Sequence, residues 1–140
     1  MDEIQALNEY CAQSMIGLLG IKFTEASSTS IVATMPVHLK TSQPNGFLHG
    51  GASLTLAETL AGAGSYLLVD REKYHVFGMQ ISGNHVSTVT DGILRAKAEL
   101  IHQGKTTHIW DVKITAENNK LISTVRVTNM IVEIKKQENE

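Results

Sequence analysis

Two features of this 140-residue sequence are equipped to act on a bond: the run His49-Gly50-Gly51 and, nine residues after His49, the carboxylate of Glu58. A carboxylate can attack an electrophilic carbon or take a proton from water. The His-Gly-Gly run opens a helix, whose first N–H groups have no intrahelical partner. Together with the helix dipole they favour negative charge developing on an oxygen. Glycine allows close approach, so a carbonyl over the Gly50 N–H would be polarised as in an oxyanion hole. Nine helical residues amount to about 13 Å of rise and roughly half a turn of phase, so His49 and Glu58 of one chain cannot serve the same bond. If both act, two chains must meet. A symmetric dimer with antiparallel helices would bring Glu58 of one copy to the helix start of the other and hold two equivalent sites.

The element that positions these groups is the helix itself, residues 50–69, which carries one charge in twenty residues. It is apolar nearly all round, which predicts burial. Ala57, Ala61, Gly62, Ala63, Gly64 and Ser65 allow other backbones to come close. A buried Glu58 would have a raised pKa, a property that collects at functional sites. The plainer alternative is a core helix whose glutamate merely neutralises or pairs. The run is near bilayer length. Its glycines, its hydroxyl residues, a central glutamate and the lack of flanking anchors argue against a membrane span.

Around this helix the pattern is regular. Ile4, Leu7, Cys11, Met15 and Leu18 share one face of an N-terminal amphipathic helix over residues 2–18, with Asp2 as its cap. Strands are predicted over 21–26 and 31–37, the second marked by Pro36 as an edge strand or one leaving its sheet. Residues 38–48 form a loop holding Pro44 and Asn45-Gly46. The charged link Asp70-Arg71-Glu72-Lys73 reads as solvated, and four strands follow over 76–86, 93–102, 106–116 and 120–132. Phe77, Met79, Ile81 and His85 are expected on one face of the first of these. His38, His75, His102 and His108 fall in loops or at strand ends, and the polar tail 133–140 is expected to fray. Helix, two strands, long helix and four strands with tight turns predict an α+β fold, a curled antiparallel sheet of five to six strands wrapped round one long central helix.

Length fits one domain, residues 1–140. With 42% hydrophobic residues, 19% charged residues and a formal net charge of −2, neither disorder nor a nucleic-acid partner is suggested. Cys11 is the only cysteine. That excludes an internal disulfide and any cysteine-pair metal site. No HExxH, P-loop, dinucleotide fingerprint or Gly-x-Ser-x-Gly occurs. Neither a metal nor another cofactor is expected. No secretory signal is read at the N-terminus, so a cytoplasmic location is the default.

The sequence Gln43-Pro44-Asn45-Gly46-Phe47-Leu48-His49-Gly50-Gly51-Ala52 leads to Ala57-Glu58-Thr59. Gly83-Asn84-His85-Val86 and Gly104-Lys105-Thr106-Thr107-His108-Ile109-Trp110 follow. Together these resemble the hotdog-fold acyl-CoA thioesterases. Within them the sequence is similar to the branch holding the Arthrobacter-type 4-hydroxybenzoyl-CoA, 1,4-dihydroxy-2-naphthoyl-CoA and phenylacetate-pathway enzymes. The resemblance covers roughly residues 15–132.

The resemblance implies hydrolysis of an acyl-CoA thioester, with Glu58 as nucleophile or general base and the Gly50 N–H polarising the carbonyl. It also implies that Gln43 and His49 line the site and that Lys105 and Thr106 meet the CoA phosphates; His85 reads first as a hydrogen-bonded core or rim histidine, with substrate contact as its functional alternative. Coenzyme A enters as part of the substrate. Active sites shared within a homodimer, and a homotetramer of two such dimers, are implied as well. Gly62 departs from the family pattern, which has Ser or Thr one turn after the glutamate, and suggests a slower enzyme or a wider acyl pocket shaped with Phe47, Leu54 and Tyr66. The competing functions are a hotdog hydratase or dehydratase and a non-catalytic acyl-CoA sensor.

Overall fold

The computed structural model describes residues 2–136. The chain begins with α1 (Glu3–Cys11), capped by the Asp2 carboxylate, which accepts from the Gln5 N–H at 2.8 Å. The single N-terminal helix expected from the pattern is instead two, because Ser14 starts a second, α2 (Met15–Leu18), by accepting from the Ile16 N–H. Gly17 lies so close to the Ala12 carbonyl that a Cβ has no room. Leu7 and Cys11 are buried, whereas the corner turns Met15 and Leu18 out to solvent.

Six strands follow: β1 (Lys22–Ala26), β2 (Ser30–Pro36), β3 (Tyr74–His85), β4 (Ile93–Gln103), β5 (Thr107–Thr115) and β6 (Leu121–Glu133). They form one antiparallel sheet in the order β1-β2-β4-β5-β6-β3. Between β2 and β3 runs α3 (Gly50–Leu68). The Pro36 expectation is half corrected: β2 is interior, between β1 and β4, and the proline is its last residue. Of the tail, Glu133 ends β6 and the Ile134 N–H donates to the Lys73 carbonyl at 2.8 Å; positions 137–140 lie outside the described residues. Among the described residues no helix is long and apolar enough to cross a membrane.

One face of α3 (Leu56, Ala57, Leu60, Ala61 and Gly64) is buried against the inner faces of β2, β4, β5 and β6. Gly64 is required there, since an added Cβ would stand 2.6 Å from the Trp110 ring. The expectation that α3 is wrapped on every side is corrected. Glu58 is exposed and Thr59, Gly62, Ala63 and Tyr66 are half-buried, because the sheet curls over one side only.

β3 is an edge strand and carries a bulge between Gly78 and Gln80. An extra residue reverses the alternation beyond it. Before the bulge Val76 and Gly78 pair with the buried Ile131 and Asn129; after it Ile81, Gly83 and His85 pair with the buried Val127, Val125 and Ser123. Phe77 and Met79 are therefore exposed, which corrects their expected place on the face of Ile81 and His85.

His108 stands at the start of β5, a strand end as expected, and its side chain is buried. The Ser65 hydroxyl sits among Trp110 Nε1 (2.9 Å), Asn129 Nδ2 (3.0 Å) and His108 Nδ1 (2.8 Å). Two N–H donors occupy its lone pairs, so its own proton goes to His108 Nδ1, and the imidazole is neutral with its proton on Nε2. Burial, and secondarily His102, hold the pKa of His108 below its ordinary 6.5. Below 6.5 the unfolded chain thus binds more protons than the fold, so this contribution to stability is complete above that value and lost as pH falls. The melting temperature is expected to drop between about pH 7 and pH 5, with a smaller drop in His108→Gln. Equal slopes for the two proteins in a pH series of thermal melts would contradict the assignment.

Candidate active site

α3 starts at His49, whose Nδ1 accepts from the Gly51 N–H at 2.8 Å. That bond occupies Nδ1 and leaves Nε2 as the ring's other polar atom. Ala52 and Ser53 donate their N–H groups to the His49 carbonyl. In this first turn, among the described residues, only the Gly50 N–H is left with no partner in the chain. The cap thus consumes the neighbouring donor and leaves one amide presented.

Around that amide lies a cleft of about 360 Å³ lined by Gln43, Gly50, Ser53, His85 and Ser87. Gln43 is held by its loop: its Nε2 donates to the Leu48 carbonyl at 3.3 Å, and its backbone N–H donates to the Phe47 carbonyl at 2.7 Å. The His85 ring packs against Gly50, where a Cβ would lie 2.7 Å from Nε2. Its Nδ1 is 2.7 Å from the buried Ser123 hydroxyl. Ser53 is 1% exposed and its hydroxyl has no partner within the described residues.

Glu58 stands elsewhere. It opens a second groove of about 530 Å³ together with Thr59, Gly62, Ala63 and Tyr66 of α3, Cys11 and Tyr10 of α1, and Arg71. Its carboxylate lies directly against Gly78 of β3, at a spot with no room for a side chain. At Gly62 an added Cβ would meet nothing within 4 Å, so the groove is open at the position where the family pattern has a hydroxyl. The structure therefore brings Gln43, Gly50 and His85 together, keeps Glu58 with Gly62 in a separate groove, and puts Lys105 and Thr106 in the β4–β5 turn, lining neither. The expectation of a buried Glu58 does not hold for the single chain, where the side chain is exposed.

Three residues that line these clefts or hold their side chains escaped the sequence reading. Ser123 is defined only by register, as the partner of His85 across β3 and β6. Gly78 had a readable signal, since a glycine inside a strand marks a bulge or a close approach. Arg71 belongs to a charged run whose plain reading is a solvated link. Among the described residues no group of three or more His, Cys, Asp or Glu side chains is arranged to hold a metal.

Substitution separates the capping by His49 from the site-lining role that the family resemblance implies for it. His49→Ala removes the cap and is expected to cost about 1 kcal/mol of stability. His49→Asn keeps an acceptor for the Gly51 N–H but lacks Nε2. Denaturant titration should therefore place Asn near wild type and Ala below it, while turnover falls in both; an Ala variant as stable as wild type would rule out the capping role.

A six-stranded antiparallel sheet curled over one long helix, with a glycine amide at the helix start and a carboxylate about two turns on, is the hotdog thioesterase architecture. A thioesterase superfamily model matches residues 45–123. The 1,4-dihydroxy-2-naphthoyl-CoA hydrolase of Escherichia coli is 36% identical over 129 residues, 92% of this chain and 94% of its own length. A Pseudomonas aeruginosa thioesterase, solved with one glutamine changed to alanine, superposes with a TM-score of 0.92 at 37% identity over 96% of each chain. A Staphylococcus aureus protein solved with a glutamate changed to alanine has a TM-score of 0.85 at 37% identity, covering 86% of this chain and 100% of that one. The same S. aureus protein was also solved, as a thioesterase, with a glutamine changed to alanine; the TM-score is 0.82 at 38% identity, over 84% and 97% of the two chains. The chain belongs to the thioesterase superfamily and is a thioester hydrolase.

Proposed function

We propose that the protein hydrolyses an acyl-CoA thioester to the free acid and CoA, at sites shared between two copies of the chain. The observation that carries this reading is the separation of two complementary half-sites, a presented Gly50 amide with Gln43 and His85 on one side and the Glu58 carboxylate on the other. The Gly50 N–H polarises the thioester carbonyl, and the tetrahedral oxyanion formed on attack is held by the same donor. Glu58 either attacks the carbonyl carbon, giving an acyl anhydride that water opens, or removes a proton from the attacking water. Collapse of the oxyanion breaks the C–S bond, and the CoA thiolate leaves to be protonated. No resident cofactor takes part in these steps.

The edge strand supports the dimer. β3 is twelve residues long with Phe77 and Met79 exposed beside Glu58, an edge suited to pairing with a second copy. Because Gly78 touches Glu58 and His85 touches Gly50, antiparallel pairing of two β3 edges about Ile81–Ser82 would set Gly78 of one copy opposite His85 of the other. The half-sites would then face each other twice per dimer. Two such dimers would make the homotetramer that the family resemblance implies. The glutamine and glutamate replaced in the S. aureus thioesterase are fifteen positions apart in that chain, the separation of Gln43 and Glu58 here. That spacing favours these two as reacting-site residues.

The test begins with thiol release from benzoyl-, phenylacetyl-, naphthoyl-, hexanoyl- and palmitoyl-CoA. Glu58→Gln and Gly50→Ala proteins, each impaired, are then unfolded, mixed in equal amounts and refolded together. Half of the dimers would be mixed and each would carry one intact site, so activity should return to about a quarter of wild type. A mixture no more active than its components would place the site within one chain. Failure of the wild type to release thiol from any of the five would favour an acyl-CoA sensor.

A further inference from the structure

The Glu58 groove runs beyond the carboxylate, and its far end has a chemistry that hydrolysis does not use. Along α3 it passes Gly62, whose missing side chain leaves the path clear, and reaches Tyr66. Eight helical residues separate Glu58 from Tyr66, about 12 Å of rise. At that end the rings of Tyr10 and Tyr66 stack, with centroids 5.8 Å apart and planes 9° from parallel. The Arg71 guanidinium stands 4.6 Å from the Tyr66 centroid. Among the described residues Arg71 has no carboxylate within 4.0 Å; its neighbour Asp70 faces Lys73 at 3.9 Å.

Resting on the thioesterase reading above, we propose that Arg71 is a specificity-determining residue that selects acyl groups bearing a carboxylate at the end remote from the thioester. A guanidinium laid on an aromatic face is fixed in orientation and keeps its edge donors free. Such a fork matches a carboxylate with two parallel hydrogen bonds. Between Glu58 and Arg71 the floor is apolar and aromatic, with Cys11, Ile16 and the paired tyrosines. A flat or extended acyl body about two turns long, with one anionic terminus, fills that shape and neutralises that charge. Like-charge repulsion keeps the carboxylate terminus from binding in reverse at Glu58 and so sets the direction of entry.

The experiment compares kcat/KM for phenylpropanoyl-CoA and its para-carboxy derivative, which differ only in the terminal carboxylate, in wild type, Arg71→Met and Arg71→Glu. Wild type is expected to favour the carboxylated substrate by roughly tenfold, the scale of a charge-assisted hydrogen bond. The ratio should fall to near one in Arg71→Met and invert in Arg71→Glu. Arg71 is exposed, and circular dichroism with thermal melts checks that each variant folds. Hydrolysis of both substrates with a ratio indifferent to residue 71 overturns the Arg71 assignment and leaves the thioesterase reading standing. If the wild type releases thiol from neither these substrates nor any simple acyl-CoA, the thioesterase reading falls and the assignment with it.

Discussion

Glu58→Gln is expected to lower kcat for thioester hydrolysis on the order of 10³-fold, the range reached by a positioned acid or base. The substitution keeps the side chain's length and its fit against Gly78 but removes both the nucleophilic oxygen and the proton acceptor. Since Glu58 is exposed in the chain and, among the described residues, makes no hydrogen bond or ion pair, folding stability should stay within about 0.5 kcal/mol of wild type. KM should change little, because an amide occupies the same volume beside the acyl group. Steady-state kinetics on the best substrate of the thioester panel, with a denaturant melt of the same preparation, reads all three. Turnover within a few-fold of wild type would remove Glu58 from the chemistry.

The second large effect is expected at a residue with no side chain. A Cβ at Gly78 would overlap the Glu58 carboxylate and lie 3.1 Å from its Cδ and 3.3 Å from its Cγ. Since a carboxylate is the far end of a flexible chain, Gly78→Ala does not unfold the protein; it moves Glu58. Displacement of a reacting group by about 1 Å costs on the order of 10²-fold. Alanine is no worse than glycine for strand stability, so the melting temperature should match or exceed wild type while kcat falls about a hundredfold. That combination separates a positioning glycine from a structural one. A loss of stability in parallel with activity would mean that Gly78 serves the bulge of β3 rather than the carboxylate.

Much of this was legible in the residues. The alternation of Leu94, Ala96, Ala98 and Leu100, and of Trp110, Val112 and Ile114, identifies the inner faces of β4 and β5, and both face the core as read. The dearth of charge between Gly50 and Val69 marks α3, and the half-turn phase between His49 and Glu58 separates their clefts. These succeed because periodicity is a local property, fixed by helical rise and strand pleat. The reading failed where a single residue changed the phase. Met79 reverses β3 at the bulge and moves Phe77 outward, and Ser14 divides the first helix. An insertion of one residue is silent in a hydrophobic pattern that continues on both sides of it.

By itself, the sequence determined the order of elements, the helix that carries Gly50 and Glu58, and the fact that one chain cannot bring His49 and Glu58 to one bond. Those conclusions follow from spacing along a backbone of known geometry. Only the tertiary structure decided that Ser123 holds His85 against Gly50, that Gly78 gives Glu58 its place, that His108 is a buried neutral member of a network about Ser65, and that Arg71 rests on Tyr66 at the end of the groove. Each joins residues on different elements, and strand register and helix seating set such distances through the packing of the whole core, which no local pattern encodes.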